Sequence, residues 1–375
     1  MNITINIMNQ SQLAICLVLT ALSMVIGGQS VADEALPHDS KEQSSYKDLS
    51  SCLMDKMKTL DEQTTIALLN KVCSRLVDKY AGGVDVLGDS EQQSRGKEEL
   101  EKELESALEE RLKREQATRD NPSVITPHKR NYFLPITYVD DPNELGFRAS
   151  DNEAPLDNFE AKFQLSFKAP LADDIFKKND VLFFGFTLQS FWQVYNSDIS
   201  SPFRETNYQP EVFYGFMNDF KIGEWRNLVN IIGIEHQSNG RTQPLSKSWN
   251  RIYAQIVWER KDWVFMFKPW YRLPEKEKDD PLASDGDDNP DIHKYMGFFE
   301  FSSYYKWDDH TFSLMFRNNL DSDDNHGALQ LEWTFPMGKR FKGYAQIFSG
   351  YGESLIDYDR SVTRAGIGVV LSDFF

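Results

Sequence analysis

The most regular feature of the chain is a two-residue alternation of apolar and polar side chains that begins near residue 131. In NFEAKFQLSFK (158–168), Phe159, Phe163 and Phe167 share one parity with alanine and leucine, and charged, amide or hydroxyl side chains occupy the other. A period of two is typical of a β-strand with one apolar face. Counting this segment, the pattern predicts twelve strands; the others are about 131–139, 180–194, 207–218, 228–238, 249–260, 262–272, 293–306, 309–319, 326–336, 339–349 and 361–375.

Two architectures accommodate many alternating strands, namely a soluble sandwich or barrel and an outer-membrane barrel. Strand lengths of about 9 to 11 residues, an even strand number and aromatic residues near strand ends favour the membrane barrel. Those aromatic residues are Trp192, Trp249, Trp258, Trp263, Trp270, Tyr304 and Tyr305. A mean hydropathy of −0.52 does not oppose this interpretation, because the lumen-facing half of each strand is polar. The expected fold is all-β, a twelve-stranded antiparallel transmembrane β-barrel over residues 130–375, preceded by an N-terminal helical periplasmic extension.

The N-terminus resembles an export signal. Residues 13–28 form an apolar run too short for a comfortable membrane span of about 20 residues, and small residues up to Ala32 suit signal-peptidase cleavage. We therefore expect residues 1–32 to be a signal peptide, although no Lys or Arg precedes the run. A single membrane anchor is the alternative. A lipoprotein is rejected because Ile15 is bulky and Cys16 lies inside the apolar core.

Residues 33–129 lack the alternation and show spacing closer to that of helices. Cys52 and Cys73 lie in two short segments of helical periodicity, and in an exported chain they could form one disulfide, whereas in the cytosol two free thiols would be expected. In residues 96–116, leucines recur every four positions up to Leu108 and Leu112, which predicts a solvated helix with one narrow apolar stripe. The alternatives are a helical extension without chemistry and a partner-binding helix.

The overall charge excludes one class of partner. The chain has 41 basic and 58 acidic residues, a formal net charge of −17. Nonspecific binding to nucleic acid depends on neutralising phosphates with basic side chains. Nucleic acid is therefore not an expected partner.

Candidate chemistry lies where two of the predicted strands meet, in HQSNGRTQPLSKSWN (236–250). His236 and Ser238 share parity with Ile234, and Asn250 shares parity with Ile252, so all three polar residues are expected on the lipid-facing side. A hairpin centred near Gln243 places His236 opposite Asn250. A serine, a base and an orienting amide suit nucleophilic acyl transfer. The alternative is ordinary polar residues at the rim of a barrel.

Several motifs together resemble the outer-membrane phospholipase A family. These are HQSNG with SWNR, SSPFRETNYQPE (200–211), KPWY (268–271), DDNPDIHKYMG (287–297) and SGYGESLIDY (349–358). The resemblance covers about residues 130–375 and implies a twelve-stranded barrel esterase with phospholipase A1/A2 and lysophospholipase activity. It further implies a homodimer when active, location in the bacterial outer membrane and an active site at the outer leaflet. The terminal Phe375 resembles the signal that such barrels present to the outer-membrane assembly machinery.

The resemblance also assigns residues. Ser238 is the expected nucleophile, His236 its general base and Asn250 the support of His236, and the amides of Ser238 and Gly240 would hold the oxyanion. It implies Ca²⁺ as cofactor, one ion per active site at the dimer interface. The ion's expected ligands are the carbonyl oxygens of Arg241 and Ser246 and the hydroxyl of Ser200 from the partner chain.

Two positions depart from the family pattern. A second, monomeric calcium site would use Asp288, but Gln243 stands where an aspartate is expected. Leu188, followed by Gln189, stands where the family has an interface glutamine.

The competing functional class is a passive porin or a fatty-acid transport barrel. A pore would be expected to carry charge rings facing the lumen, whereas His236, Ser238 and Asn250 have the opposite parity. The acid-rich segment 276–291 is interpreted mainly as a solvated loop, with Asp288 as the one candidate ligand in it.

Overall fold

The chain forms a closed barrel in a computed structural model, which describes residues 106–119, 121, 124–144, 155–280, 282–283, 285–338 and 341–375. Its strands are β1 (Thr126–Pro127), β2 (Asn131–Val139), β3 (Phe159–Asp173), β4 (Val181–Trp192), β5 (Phe203–Ile222), β6 (Trp225–Ser238), β7 (Ser248–Arg260), β8 (Trp263–Leu273), β9 (Phe299–Trp307), β10 (His310–Asn318), β11 (Gly327–Met337), β12 (Phe341–Tyr351) and β13 (Ser361–Ser372). Strands β2 to β13 pair antiparallel in chain order, and β2 also pairs with β13. This closure confirms the predicted twelve-stranded antiparallel barrel, to which the two-residue β1 adds a short pairing with β3.

One predicted strand begins later than expected. The segment 293–306 was predicted to be strand throughout, but Ile292–Met296 forms a short helix, α2, and β9 begins at Phe299. Gly297 separates the two elements with φ of +67°, and a Cβ there would lie 2.4 Å from the carbonyl oxygen of Asn318. A left-handed backbone packed this closely requires glycine, and it ends the helix.

The outer wall of the barrel is apolar. On alternate positions of the strands, large hydrophobic side chains are exposed, among them Leu165, Ile234, Leu331, Ile347 and Ile367. Not every aromatic residue expected near the membrane boundary belongs to this wall: Trp249 and Trp270 are buried inside, where both contact the guanidinium of Arg251. The inward direction follows from strand parity, since Trp249 alternates with Asn250.

The interior holds a buried ionic network. Its members are Glu160, Lys162, Arg204, Glu353, Asp357 and Arg364. Arg364 lies 2.7 Å from both Glu160 and Glu353. Because each buried charge has a partner of opposite sign, removal of one member would leave an uncompensated charge at a cost of roughly 3–5 kcal/mol.

A helix, α1 (Ala107–Thr118), packs against the barrel at the end opposite the 238–248 hairpin. Ser106 begins it with an extended backbone and a capping box that it shares with Glu109. Of the segment 96–116 that was predicted to be a helix, the structure describes residues 106–116, and Ala107 onward is helical. Leu108 packs with Leu228, at the start of β6, and with Phe374.

The residues from Ser106 to Phe375 belong to one compact unit, so α1 is grouped with the barrel. An interior cavity of about 580 Å³ lies between α1 and the ionic network. The predictions for the signal peptide, Cys16, Cys52 and Cys73 fall outside the described residues. Within the described residues, no helix has the length and apolar character needed to cross a membrane.

Candidate active site

His236 and Asn250 lie side by side on the outer wall of the barrel. They are direct cross-strand partners on β6 and β7, as predicted, and Nδ1 of His236 is 2.9 Å from Oδ1 of Asn250. Their neighbours along the strands on the same face, Ile234 and Ile252, are exposed, whereas Glu235 and Arg251 point inward. Strand pairing and parity therefore bring these two side chains together at the apolar surface.

Ser238 follows on the same face at the end of β6. Its cross-strand partners are Ser248 on β7 and Tyr208 on β5, and its side chain is partly exposed. Among the hydrogen bonds of the described residues, none joins its hydroxyl to His236. The structure thus places Ser238 beside the His236–Asn250 pair without forming the third contact of the predicted line.

A carboxylate that the sequence analysis missed fixes the orientation of Asn250. Nδ2 of Asn250 donates to Oε1 of Glu275, 3.1 Å away, in the loop after β8. A carboxylate can only accept, so Glu275 holds the amide with its oxygen toward His236. The imidazole then donates from Nδ1, which leaves the lone pair on Nε2. No short sequence signal connects Glu275 to Asn250, because the contact depends on how the loop folds back.

Asn239 organises the loop between β6 and β7. Its Oδ1 accepts from the backbone amides of Arg241 and Lys247 at 3.3 and 3.0 Å, and its Nδ2 donates to the carbonyl of Leu245 at 2.9 Å. Gly240 follows with φ of +64°, a conformation that favours glycine. The Ser-Asn-Gly sequence was an available signal for such a turn, since asparagine side chains readily bond nearby backbone groups.

The loop before α2 forms hydrogen bonds with the β6–β7 loop and the start of β7. Asn289 is fully buried, and its Oδ1 accepts from the amide of Ser248 at 3.0 Å. The carboxylate of Asp288 accepts from the hydroxyl of Ser246 at 2.5 Å. The loop before α2 therefore holds the end of the β6–β7 loop that leads into β7, across the ladder from Ser238.

Of the predicted calcium ligands, Arg241 and Ser246 lie on this loop and Ser200 does not. Among the described residues, no hydrogen bond occupies the carbonyl of Arg241, and the carbonyl of Ser246 is approached by the ammonium of Lys247 at 3.3 Å. Carbonyl oxygens are among the hard ligands that calcium takes, so this pair could contribute to a calcium site. Ser200 is exposed in the β4–β5 loop, where a second copy of the chain could reach it.

Asp288 does not fit the expected second calcium site. Both of its oxygens accept from protein donors, namely Lys278, Gln243 and Ser246. Burial opposes ionisation of Asp288, but the hydrogen bonds from these three side chains outweigh it and lower the pKa of the carboxyl below its ordinary value. Within the described residues, no group of three or more His, Cys, Asp or Glu side chains could hold a metal ion.

This chain has Leu188 where the family has an interface glutamine, and the neighbouring Gln189 cannot take that role. Gln189 points inward, where its Nε2 is 3.2 Å from the hydroxyl of Tyr132. Leu188 has the opposite parity and pairs with Leu165 and Tyr208, both exposed on the outer wall. The outer surface next to Ser238 is therefore apolar at this position.

A closed antiparallel barrel with an apolar outer wall, and with an imidazole, an amide and a serine on that wall, defines a membrane-barrel protein whose candidate site faces outward. The phospholipase A1 family model matches residues 108–371. Phospholipase A1 of Klebsiella pneumoniae is 39% identical over 256 residues, which is 68% of this chain and 85% of that protein. This chain belongs to the phospholipase A1 family, the outer-membrane phospholipases A.

Solved structures of the family have the same fold. Outer membrane phospholipase A from Escherichia coli is 38% identical with a TM-score of 0.62, and the match covers 67% of this chain and 100% of that one. A variant of the E. coli protein with alanine in place of an active-site asparagine matches this chain with a TM-score of 0.61. A Salmonella typhi outer membrane phospholipase dimer with bound calcium is 38% identical with a TM-score of 0.61, covering 68% of this chain and 94% of that one.

Proposed function

We propose that the chain is a calcium-dependent outer-membrane phospholipase that hydrolyses acyl ester bonds through Ser238, His236 and Asn250. The observation that carries the proposal is the His236–Asn250 hydrogen bond on the apolar outer wall, beside Ser238. A phospholipid in the surrounding leaflet meets this wall directly, so its ester need not enter the barrel. An asparagine also belongs to the active site of the E. coli relative.

Each side chain has one role in the proposed acyl transfer. Nε2 of His236 takes the hydroxyl proton of Ser238 while the serine oxygen attacks the ester carbon, and the proton then passes to the leaving alcohol oxygen. A water deprotonated by the same imidazole attacks the acyl-serine, which releases the fatty acid and restores both residues. Asn250 orients the ring and stays neutral, which avoids the desolvation cost of an ionised carboxylate at an apolar surface.

Backbone amides are proposed to stabilise the charge that develops on the carbonyl oxygen. The amides of Ser238 and Gly240 would form the oxyanion hole. The carbonyl oxygens of Arg241 and Ser246, with the hydroxyl of Ser200 from a second copy of the chain, would hold calcium. Calcium supplies positive charge close to the oxyanion when bound. This ligand set makes the homodimer the proposed active form, in agreement with the calcium-bound dimer of the S. typhi relative.

The proposed location is the outer membrane, with the site at the outer leaflet. An apolar outer wall and a closed hydrogen-bonded ladder are the features that a barrel in lipid requires. Phe375 would serve as the contact with the assembly machinery. The buried ionic network fills part of the interior and α1 packs at one end of the barrel, which argues against the alternative of an open pore.

The test is hydrolysis of phospholipid by purified dimer, with calcium and with chelator. Ser238→Ala and His236→Ala should each lower turnover on the order of 10⁴-fold, and the double variant about equally, because the two residues act as a unit. Asn250→Ala should cost clearly less. Ser248→Ala, across the ladder from Ser238, is the matched control.

A sulfonylating reagent should label Ser238 and no other serine. Wild-type turnover by a folded, dimeric Ser238→Ala protein would refute the proposal. Full activity with chelator present would refute its calcium dependence.

A further inference from the structure

The carboxylate of Asp288 is surrounded by donors from three side chains. Oδ1 lies 2.5 Å from the ammonium of Lys278 and 2.6 Å from Nε2 of Gln243, and Oδ2 lies 2.5 Å from the hydroxyl of Ser246. The side chains of Lys278 and Asp288 are only 9% and 7% exposed. The contact is therefore a buried ion pair and not a solvated surface pair.

The loop before α2 is shaped around Lys278. The ammonium also donates to the carbonyl of Ala283 at 2.7 Å, and the backbone closes beneath it through a 2.8 Å bond from Asp287 to Lys276. Gly286, with φ of +92°, allows the closure, since a Cβ there would lie 2.9 Å from Cγ of Lys278. Arg272 fixes the same turn with two 2.6 Å contacts to Asp287.

The arrangement selects an ammonium over a divalent ion. A buried carboxylate needs a counter-charge, and Lys278 already supplies it. Calcium takes six to eight oxygen ligands, whereas Gln243 presents its amide nitrogen to Asp288 and Ser246 presents its hydroxyl hydrogen. A metal ion could enter only if Lys278 left and Gln243 turned over.

We propose that Lys278 is a tethered cation that takes the place of a metal ion at Asp288. The pair closes the loop before α2 on itself and neutralises Asp288, whose bonds from Gln243 and Ser246 fasten this loop to the β6–β7 loop. The monomer thus keeps this part of the site ordered without a calcium ion of its own. Calcium would then act only at the proposed dimer site, which includes the carbonyl oxygens of Arg241 and Ser246. The proposal concerns Asp288 alone and holds whether or not Ser238 is a nucleophile.

The test compares thermal unfolding of monomeric full-length protein in detergent, with calcium and with chelator. Lys278→Met keeps the length of the side chain and removes its charge, so the midpoint should fall by at least about 3 °C in chelator. Calcium should restore part of the loss, and more in Lys278→Met with Gln243→Asp, because that pair offers two carboxylates. Lys278→Arg should behave as wild type.

Lys276→Met is the matched control, because Lys276 is 74% exposed in the same loop and its ion pair is with exposed Asp279. It should change neither the midpoint nor the calcium response. The proposal is overturned if Lys278→Met behaves like Lys276→Met. It is also overturned if calcium stabilises the wild-type monomer and Asp288→Asn abolishes that effect, a comparison that does not depend on folding of the Lys278 variants.

Discussion

The carboxylate of Glu275 orients the proposed base, His236, through the neutral side chain of Asn250. Glu275 bonds Nδ2 of Asn250, and Oδ1 of Asn250 bonds His236. The negative charge thus stays in a loop, while only the amide lies against the imidazole on the apolar wall. This arrangement explains how an asparagine can stand where a triad more often has an acid.

Glu275→Gln should lower turnover about tenfold, the effect of one hydrogen bond of roughly 1.4 kcal/mol. A glutamine both donates and accepts, so Asn250 could turn and present its nitrogen to His236, which would favour the wrong tautomer. The measurement is turnover at saturating phospholipid. Glu277→Gln, an exposed position in the same loop, should leave turnover unchanged. Equal rates for the two variants would contradict this role of Glu275.

Asp180 stabilises the β3–β4 turn and makes barrel stability depend on pH. Its carboxylate accepts from the amides of Ile175, Phe176 and Lys177 at 2.6 to 2.8 Å and from the hydroxyl of Tyr214. Burial alone would raise the pKa of Asp180, but these bonds lower it from the ordinary 3.8 to about 2.

Because the folded pKa is the lower one, the stabilisation by Asp180 is complete above pH 3.8 and is lost as pH falls toward 2. Asp180→Asn should therefore lower the unfolding midpoint by a few degrees at pH 7 and have little effect near pH 2. Thermal scans across this range measure the difference. Asp309→Asn, exposed in the β9–β10 turn, is the control. If Asp180→Asn lowered the unfolding midpoint equally at every pH, ionisation of Asp180 would not be the source of the stabilisation.

At the scale of elements, α1 is attached to the barrel by one apolar contact region and several ion pairs. Leu108 is 5% exposed and packs with Leu228 and Phe374. Glu115 lies 2.6 Å from Lys168 on β3. An isolated helix of this length is marginal in water, so docking on the barrel is what stabilises it.

Leu108→Asp should detach α1, because it places a carboxylate in the buried apolar contact. Trypsin should then cut faster at Arg111, Arg114 and Arg119, as followed by mass spectrometry of the folded protein. Ala117→Asp, on the exposed face of the same helix, should leave cleavage as in wild type. Equal cleavage rates for the two variants would show that Leu108 does not anchor α1 to the barrel.

At the scale of the whole molecule, the outer wall near Ser238 is the surface at which the proposed dimer would form. Leu188, Leu165 and Tyr208 form an apolar row there. In lipid, apolar side chains gain little by leaving one apolar environment for another, whereas a polar side chain gains a hydrogen bond across the interface. The proposed dimer should therefore be weak without calcium.

Leu188→Gln should tighten the dimer about 3- to 30-fold, equivalent to one bond of roughly 0.6–2 kcal/mol in lipid. Energy transfer between labelled copies in liposomes, with calcium and with chelator, measures the dimer fraction. Leu331→Gln, an exposed leucine on β11, is the matched control. No gain relative to that control would show that Leu188 lies outside the interface.

The sequence by itself determined the barrel and the face on which His236, Ser238 and Asn250 lie. Strand parity is a local property, because successive side chains must point to opposite sides of a sheet. The alternation therefore predicted twelve strands and the His236–Asn250 pairing without knowledge of distant contacts. The motifs of the chain also indicated the family to which it belongs.

Only the tertiary structure decided the contacts between loops and between elements. Glu275 reaches Asn250, and Asp288 reaches Gln243 and Ser246, because the loop after β8 folds back over the β6–β7 hairpin, while Lys278 meets Asp288 because that loop closes on itself. The periodicity of the sequence does not predict how a loop folds. The acid-rich segment was therefore interpreted as a solvated loop, and Asp288 as a candidate metal ligand. Docking of α1 likewise depends on a surface that exists only after the barrel has closed, when Leu228 and Phe374 lie side by side.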